Sequence, residues 1–301
     1  MAEIEVRPAR SKEARRAADL FLRLPARPGA QAGTDSALLA DSRNHVVAVR
    51  GKDIVGSCVF APSPGRCAIV LEPHLLEWDA DLAARLLTEA AAQACRKGAR
   101  LIQSLTGAEG DDRLDAALAA AGFAHLAVLS YMRRPIRPAD HDLGLPADIE
   151  WRSYSRFRRR LFAEAITATY EGSLDCPGLA GLRTVRDALA THKNTGEFHP
   201  KAWNVALVAS RPVGVELVND LYGRGELVYL GVAAAARGRG IGRALLARAI
   251  RDTAAMGLPR VGLAVDISNE PAVRLYEGMG FQEIRRRLAW FVPRWRLDEC
   301  V

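Results

Sequence analysis

A glycine-rich turn in the second half of the chain has the residue types and spacing that bind phosphate. The segment Arg237-Gly-Arg-Gly-Ile-Gly242 follows an apolar stretch at 226–232, which predicts a buried strand, and precedes an amphipathic stretch, which predicts a helix. Glycines let backbone N–H groups approach a pyrophosphate closely, and the positive end of the helix dipole adds to the attraction. A Walker A loop would end in Gly-Lys-Ser/Thr, and a dinucleotide fingerprint would need glycine where Arg243 stands. The turn therefore predicts a phosphate-bearing ligand of a third class.

A second motif follows about thirty residues later, and together the two resemble a known family. The stretch Asn269-Glu-Pro-Ala-Val-Arg-Leu-Tyr276-Glu-Gly-Met-Gly-Phe281 is similar to the pattern Asn-x-x-Ala-x-x-Leu-Tyr-x-x-x-Gly-Phe of the GCN5-related N-acetyltransferase (GNAT) superfamily. The glycine turn resembles that superfamily's acetyl-CoA loop, Gln/Arg-x-x-Gly-x-Gly/Ala. The two motifs stand in the same order as in the superfamily, and the resemblance covers about a fifth of the chain.

The resemblance implies that acetyl-CoA is the co-substrate and assigns residues to it. The loop would surround the pyrophosphate, two strand residues would pair with the pantetheine arm and the thioester carbonyl, and an asparagine would lie near the thiol. The strand residues are Leu230 and Val232, and the asparagine is Asn269. The loop residues are Arg237, Gly238, Arg239, Gly240, Gly242 and Arg243. Tyr276 would donate a proton to the departing thiolate, because a phenol with a pKa near 10 stays protonated at neutral pH. A core aromatic is the alternative for Tyr276.

An amine acceptor, with a pKa near 10.4, must lose a proton before or during attack. Glu226 stands where the lysine acetyltransferase branch of the superfamily carries its glutamate base, six residues before Val232. A carboxylate that merely faces solvent at a strand end is the other interpretation. Glu216 and Asp220 on the preceding predicted hairpin are reserve bases, and Tyr229 is a further candidate for lining the cleft.

A polar insertion at 171–200 lies where the superfamily places its variable acceptor-binding elements. Glu171, Asp175 and Arg183 are predicted to contact a polar acceptor, together with Glu216, although a solvated loop would have the same composition. Cys176 could act as a nucleophile with His192 or His199 as its base. Direct transfer of the acetyl group to the amine, however, requires no covalent acyl-enzyme intermediate.

The hydrophobic pattern repeats the same order of elements twice, which indicates an internal duplication. The predicted fold is α/β (α+β), with two tandem GNAT-like domains, each a mixed, mostly antiparallel sheet flanked by helices. Residues 1–135 form the first predicted domain, a proline-rich linker spans 136–147, and the catalytic domain spans 148–301. The first half has no glycine turn and carries Asp111 and Leu118 where the second has Asn269 and Tyr276, so it is predicted not to be catalytic.

Composition narrows the class of protein and its partners. The chain is 49% hydrophobic and 26% charged, and it has neither a long apolar run nor an apolar N-terminal segment, which predicts a cytoplasmic protein. Five scattered cysteines without C-x-x-C spacing predict neither disulfides nor a metal site. The net charge of +7 is compatible with nucleic acid, but few aromatics accompany the arginines, so no nucleic-acid partner is predicted. No membrane partner is predicted either, and a monomer or homodimer is expected.

The sequence therefore predicts transfer of an acetyl group from acetyl-CoA to a primary amine by direct attack. The tandem layout with a degenerate first half resembles mycothiol synthase and its relatives, so the expected acceptor is a small polar amine, for example a cysteinyl sugar. Two alternatives are acetylation of a protein lysine or N-terminal amine and a CoA-binding sensor or scaffold without catalysis. Nucleic-acid binding is a third, and it predicts a steep salt dependence of binding.

Overall fold

The structure is a computed structural model that describes residues 3–23, 41–108, 111–294 and 296. The chain divides into two compact units. One is built from two separate stretches of the sequence, and the other from the single stretch between them. The first unit contains Met1–Val128 and Arg287–Val301, and the second contains Leu129–Arg286. The predicted domains, 1–135 and 148–301, have other boundaries than these units, because they follow the two halves of the sequence repeat. They stay a prediction.

In the residues that the structure describes, the first unit is a mixed sheet with three helices. Its elements are β1 (Ile4–Pro8), α1 (Ala14–Arg23), β2 (His45–Arg50), β3 (Asp53–Ser63), β4 (Cys67–Val70), β5 (His74–Leu75), α2 (Ala80–Arg96), β6 (Leu101–Gly107), α3 (Asp112–Ala120), the start of β7 (Ala124–Pro135) and the end of β13 (Gln282–Phe291). From β1 to β4, each strand pairs antiparallel with the next one along the chain. Strand β4 pairs parallel with β6, and β6 pairs antiparallel with residues 287–291. Helix α2 buries its apolar stripe against this sheet, which forms the core of the unit.

The second unit contains both sequence motifs. Its further elements are β8 (Glu150–Ser153), α4 (Arg159–Tyr170), α5 (Val185–Lys193), β9 (Glu197–Val208), β10 (Arg211–Asp220), β11 (Gly225–Val232), α6 (Ile241–Ala255), β12 (Arg260–Asp266) and α7 (Glu270–Gly278). The strands β8 to β11 pair antiparallel, β11 pairs parallel with β12, and β12 pairs antiparallel with residues 129–135 of β7. Helix α6 packs on one face of this sheet, and α4 and α5 pack on the other.

The last strand of each half of the sequence completes the sheet of the other half. Residues 129–135 of β7 lie beside β12, and residues 287–291 of β13 lie beside β6. The sequence predicts these strands as the final ones of their own halves, because hydrophobic alternation identifies a strand but not its neighbour. The chain crosses between the units along these two strands.

The two halves share details that support a duplication. Helices α3 and α7 both begin at a side-chain cap, Asp111 and Asn269, whose oxygens accept backbone N–H groups of the first turn. Both end at a glycine with a positive φ, Gly122 at 86° and Gly280 at 85°, a backbone conformation that favours glycine at the end of a helix.

The predicted linker is packed into the second unit. Residues Pro138–Asp142 form a 3₁₀ turn, and Asp140 accepts two hydrogen bonds from the guanidinium of Arg134, at 2.8 and 2.7 Å, and one from the amide of Arg137 at 2.7 Å. Both partners of the ion pair are buried. Ile136 and Leu143 pack against the apolar core of the unit. Proline-rich composition predicted a linker but could not show this anchoring contact.

Most predicted elements are present, with boundaries that shift by a few residues. The polar insertion contains a helix, α5, and its last residues belong to β9, which begins at Glu197. No helix in the described chain is long and apolar enough to cross a membrane.

Candidate functional site

The strands β11 and β12 diverge and leave a wedge between them. They pair at Gly225↔Val261 and Glu226↔Gly262, the only two positions paired in the described chain. One cause is a bulge: Leu217 pairs with Tyr229 and Val218 with Leu227, so Val228 is an extra residue on β11. A bulge bends and twists its strand. Beyond Glu226, the edge of β11 that faces the wedge has no strand partner, and its backbone groups can pair with an extended ligand. Leu230 and Val232 lie on this part of β11.

The glycine turn follows the open end of the wedge. Gly238 and Gly240 have φ angles of 74° and 78°, which side chains other than glycine rarely adopt, and a Cβ on either would have no atom within 4 Å. Helix α6 begins at Ile241, so the N–H groups of its first turn lack acceptors within the helix. Gly242 is closely packed, since its Cβ would lie 3.3 Å from Leu275. The turn presents backbone donors to open space, as a pyrophosphate requires.

The arginines of the turn divide into two kinds. Arg239 and Arg243 are exposed and make no hydrogen bond or ion pair with a described residue. Arg237, in contrast, donates to the carbonyl oxygens of Thr169, Glu171, Gly172 and Val232, at 2.6 to 3.2 Å. Its amide donates to Ala234. The guanidinium of Arg237 thus connects the end of α4 to the turn, and its predicted contact with the pyrophosphate stays a prediction.

The positive φ of Gly240 predicts the effect of an added methyl group. In Gly240→Ala the residue must adopt a left-handed conformation, which costs about 1 kcal/mol or more, or the turn must rearrange. We expect acetyl-CoA to bind about tenfold more weakly, measured by isothermal titration calorimetry.

Gly257→Ala is the matched control, because Gly257 has a φ of 71° and equal open space but follows the other end of α6. Both variants should lose similar stability in urea, and only Gly240→Ala should lose affinity. Equal affinity in the two variants would contradict a role for the turn in binding.

Tyr276 lies in α7 and is buried, with its ring against Phe281. Burial, followed by the nearby charge of Asp175, raises the pKa of the phenol above its usual value. Its hydroxyl makes no hydrogen bond to a described residue. The group is therefore protonated at neutral pH and has a donor to offer, as a general acid requires. Asn269 caps α7 through Oδ1, which accepts from the amide of Ala272 at 3.4 Å, and its predicted contact near the thiol would involve the remaining amide nitrogen.

Glu226 lies at the closed end of the wedge, where β11 and β12 last pair. Its Oε2 accepts a hydrogen bond from Nε of Arg224 at 3.1 Å and forms an ion pair with a terminal nitrogen of the same guanidinium, also at 3.1 Å. Oε1 has no hydrogen bond to a described residue. Burial raises the pKa of Glu226, and Arg224 opposes this shift without cancelling it. The group is a carboxylate with one free oxygen and raised basicity, which is suitable for a general base.

The loop after α4 brings one of the predicted acceptor residues, Asp175, close to Tyr276. Asp175 accepts a hydrogen bond from the amide of Asp266 at 3.2 Å, and the carboxylate of Asp266 accepts one from the amide of Cys176 at 3.3 Å. These reciprocal bonds hold the loop on the end of β12. The positive charge of Arg183 acts on the buried hydroxyl of Tyr229, whose pKa burial raises. Glu171 is exposed at the start of the loop.

The structure does not bring Glu216 to these residues. Its side chain is completely buried on the sheet face that α6 covers, and Oε1 accepts a hydrogen bond from Nδ2 of Asn204 at 2.6 Å. The same nitrogen donates to Asp252 of α6 at 2.8 Å. Burial and the charge of Asp252 raise the pKa of Glu216. A carboxyl group enclosed in this way does not contact an acceptor in the wedge. The alternation of β10 could not reveal this, because both faces of the strand are covered.

Covalent catalysis by Cys176 is not supported by its surroundings. Burial, together with the charges of Asp175 and Asp266, raises the pKa of the thiol, so the thiolate is disfavoured. Burial lowers the pKa of His192 to about 3, and this ring packs on Tyr229.

One group of three potential metal ligands occurs among the described residues. Atoms of Glu197, His199 and Asp220 lie within 4.8 Å of one another near the paired ends of β9 and β10. Glu197 is exposed, and Asp220 accepts the amide of Gly223 at 2.7 Å. The prediction that no metal is bound stays a prediction, as does the reserve role of Asp220 as a base.

Sequence reasoning missed several residues around the closed end of the wedge. Tyr131 and Arg133 come from β7, which the sequence assigned to the non-catalytic half, and they pair with Ala264 and Gly262 of β12. Arg285 of β13 stacks its guanidinium on Tyr131 at 4.7 Å. The alternation of β7 around Met132 puts Tyr131 and Arg133 on one face, but the neighbouring strand could not be read from the sequence.

Comparisons with known proteins agree with this geometry. Residues 167–281 match the model of the acetyltransferase (GNAT) family. A curated mycothiol acetyltransferase of Thermomonospora curvata is 32% identical over 197 residues, which cover 58% of this chain and 58% of the relative. In the first curated matches the chain spans 18 to 58% of the relative's length.

Solved structures show the same fold at low identity. A GCN5-related N-acetyltransferase from Sphaerobacter thermophilus matches with a TM-score of 0.66 at 18% identity, over 97% of this chain and 96% of the other. A tandem GNAT protein from the clavulanic acid biosynthesis pathway matches with a TM-score of 0.55 at 15% identity, over 96% and 98%. Residues 167–281 of this chain thus match the GNAT acetyltransferase family in sequence, and the chain shares the fold of solved GNAT proteins.

Proposed function

We propose that the chain is an N-acetyltransferase that moves an acetyl group from acetyl-CoA to a primary amine by direct attack. The observation that carries this proposal is the wedge between β11 and β12. Its open end leads to the glycine turn, and Glu226 lies at its closed end. An extended ligand with a pyrophosphate at one end and a reactive group at the other fits these two ends.

The residues present fit acetyl-CoA. Backbone donors of Gly238 to Arg243 would bind the pyrophosphate, with the exposed guanidiniums of Arg239 and Arg243 adding charge. The unpaired edge of β11 near Leu230 and Val232 would hold the pantetheine arm by strand-like hydrogen bonds. When bound, acetyl-CoA supplies an activated acetyl group with a thiolate as leaving group.

Two side chains would move the protons of the reaction. Oε1 of Glu226, directly or through a water molecule, takes the proton that the amine loses as its nitrogen bonds to the acetyl carbon. The hydroxyl of Tyr276 gives its proton to the sulfur as the carbon–sulfur bond breaks. Their environments favour these opposite roles, since Tyr276 remains protonated at neutral pH while Glu226 is a carboxylate of raised basicity.

The acceptor that we propose is a small polar amine. Support comes from the polar loop with Asp175 and Arg183, and from relatives named mycothiol acetyltransferase. A cysteinyl sugar of the mycothiol type is the first compound to test, and a protein lysine or N-terminal amine is the second choice. We also propose the cytoplasm as the location, a monomer or homodimer as the state, and no nucleic-acid partner, on the sequence grounds above.

Acetylation assays with a panel of amines over a range of pH test the proposal. Release of the CoA thiol measures the rate, and mass spectrometry identifies the acetylated product. We expect kcat/KM of the wild type to fall as pH drops through the raised pKa of Glu226, because the protonated carboxyl cannot accept a proton. Glu226→Gln should lack this acidic limb and lose about 100-fold in kcat/KM at neutral pH.

Glu277→Gln, an exposed change on α7, is the matched control and should keep the wild-type profile. If acetyl-CoA binds but no amine in the panel is acetylated by the wild type, the chain is better described as a CoA-binding sensor. If Glu226→Gln keeps the acidic limb, another group is the base.

A further inference from the structure

A row of side chains crosses the sheet at the closed end of the wedge. Glu226 of β11 pairs with Gly262 of β12, and Gly262 pairs with Arg133 of β7. Cross-strand neighbours point to the same face of a sheet, and glycine has no side chain. Glu226 and Arg133 therefore flank a patch centred on Gly262, whose backbone is buried beneath the Glu226 carboxylate and the Arg224 guanidinium. A Cβ on Gly262 would lie 3.3 Å from Oε2 of Glu226, so another residue there would crowd the carboxylate.

Three further arginines surround the same patch. Arg224 is bonded to Oε2 of Glu226. Arg260 begins β12 and lies on the same face as Gly262, two residues away. Arg285 lies on Tyr131, which is two residues from Arg133 on β7. Arg285 is exposed, and the stacking orients its guanidinium over the Tyr131 ring.

The described residues do not neutralise this group of arginines. Among them, Glu226 is the one carboxylate that acts on Arg133, and its Oε2 is already bonded to Arg224. Arg133, Arg260 and Arg285 make no ion pair with a carboxylate of the described residues. Burial, and then the charges of Arg224, Arg260 and Arg285, lower the pKa of Arg133. Four guanidiniums and one carboxylate leave a local excess of positive charge that an anion would stabilise.

We infer that the acceptor carries a carboxylate or phosphate group in addition to its amine, and that Arg133 and Arg285 bind this group. The inference rests on the proposed acetyl transfer. The closed end of the wedge is the end remote from the glycine turn, so the acetyl group and the attacking amine meet there. In this arrangement Glu226 faces the amine, and the arginines bind the anion beside it. Guanidiniums bind carboxylates and phosphates through paired, charge-assisted hydrogen bonds.

Matched amines that differ by one charge test the inference kinetically. Glucosamine 6-phosphate is compared with glucosamine, and an α-amino acid with its amide, so that the two pairs distinguish phosphate from carboxylate. We expect kcat/KM to be about tenfold or more higher for the anionic member of at least one pair, mainly through KM. Arg133→Gln and Arg285→Gln should abolish the preference and leave the KM for acetyl-CoA unchanged. Arg211→Gln removes the same charge from the exposed first residue of β10 and should keep the preference.

Anion binding gives a second readout that does not depend on turnover. With saturating CoA on the glycine turn, inorganic phosphate should raise the melting temperature of the wild type and Arg211→Gln but not of Arg133→Gln. A preference or a phosphate shift that survives Arg133→Gln overturns the inference, and so does the absence of both in the wild type. If phosphate binding depends on Arg133 but no amine is acetylated, the anion site stands and the proposed acetyl transfer fails.

Discussion

Tyr276→Phe should reduce kcat by about 100-fold while acetyl-CoA binds as tightly as before, because positioned proton transfer typically contributes this much. The phenol is buried and protonated, and its hydroxyl has no hydrogen-bond partner in the described chain. Removing the hydroxyl therefore breaks no internal contact and should leave the urea midpoint close to that of the wild type. Steady-state kinetics and calorimetry with acetyl-CoA separate the loss of chemistry from a loss of binding.

The leaving group gives this expectation a sharper test. A thioester with a more acidic thiol needs less protonation as it departs, so the penalty of Tyr276→Phe should shrink with such an acyl donor. Tyr222→Phe, at an exposed position, is the matched control and should leave kcat unchanged. If Tyr276→Phe retains the wild-type kcat, or loses activity only in proportion to lost affinity, Tyr276 is a core aromatic and not the acid.

Asp140→Ala should lower the free energy of unfolding by about 3 kcal/mol or more, as expected when one partner of a buried ion pair is removed. The change leaves the Arg134 guanidinium buried without its two carboxylate bonds and frees the amide of Arg137. Urea unfolding measures the effect. Asp142→Ala removes an exposed carboxylate from the same turn and should change stability by less than about 0.5 kcal/mol.

The same ion pair predicts a pH dependence. Burial alone would raise the pKa of Asp140, but hydrogen bonds from Arg134 and the Arg137 amide outweigh it and hold the pKa below its usual value. A carboxyl group with a lowered pKa in the folded state stabilises the protein above its unfolded pKa, near 3.9, and this stabilisation is lost as pH falls through the folded value. The stability difference between wild type and Asp140→Ala should thus shrink in acid below about pH 4. A difference that is constant down to pH 2 would contradict this account of the pair.

Local pattern predicted the parts of the site that lie close together in sequence. Strand β11, the glycine turn and α6 follow one another as the apolar period and the glycines indicate, and Gly238 and Gly240 adopt the backbone conformation that explains their residue type. The motif around Tyr276 forms a capped helix with the tyrosine on its buried side. In these segments each side chain is positioned by residues within about two turns of helix or one strand pair.

Long-range contacts account for what the sequence did not show. Arg237 finds its partners about 65 residues earlier, at the end of α4, so its place in a motif did not reveal its role. Glu216 alternates with valine and leucine as a half-exposed strand would, but α6 covers its face. Arg133 reaches the site only because β7 pairs with β12. Each case depends on which surfaces meet in the fold, and hydrophobic period does not encode that directly.

The exchanged final strands also determine the order in which the protein can finish folding during synthesis. β6 obtains its β13 neighbour only after the ribosome has made residues 287–291, about 180 residues later. At a typical 5–20 residues per second, the edge of β6 stays unpaired for roughly ten seconds or longer. An unpaired strand edge is a template for aggregation, and pairings between distant residues form slowly. The nascent chain is thus most vulnerable to aggregation, and most in need of a chaperone, just before Phe291 emerges.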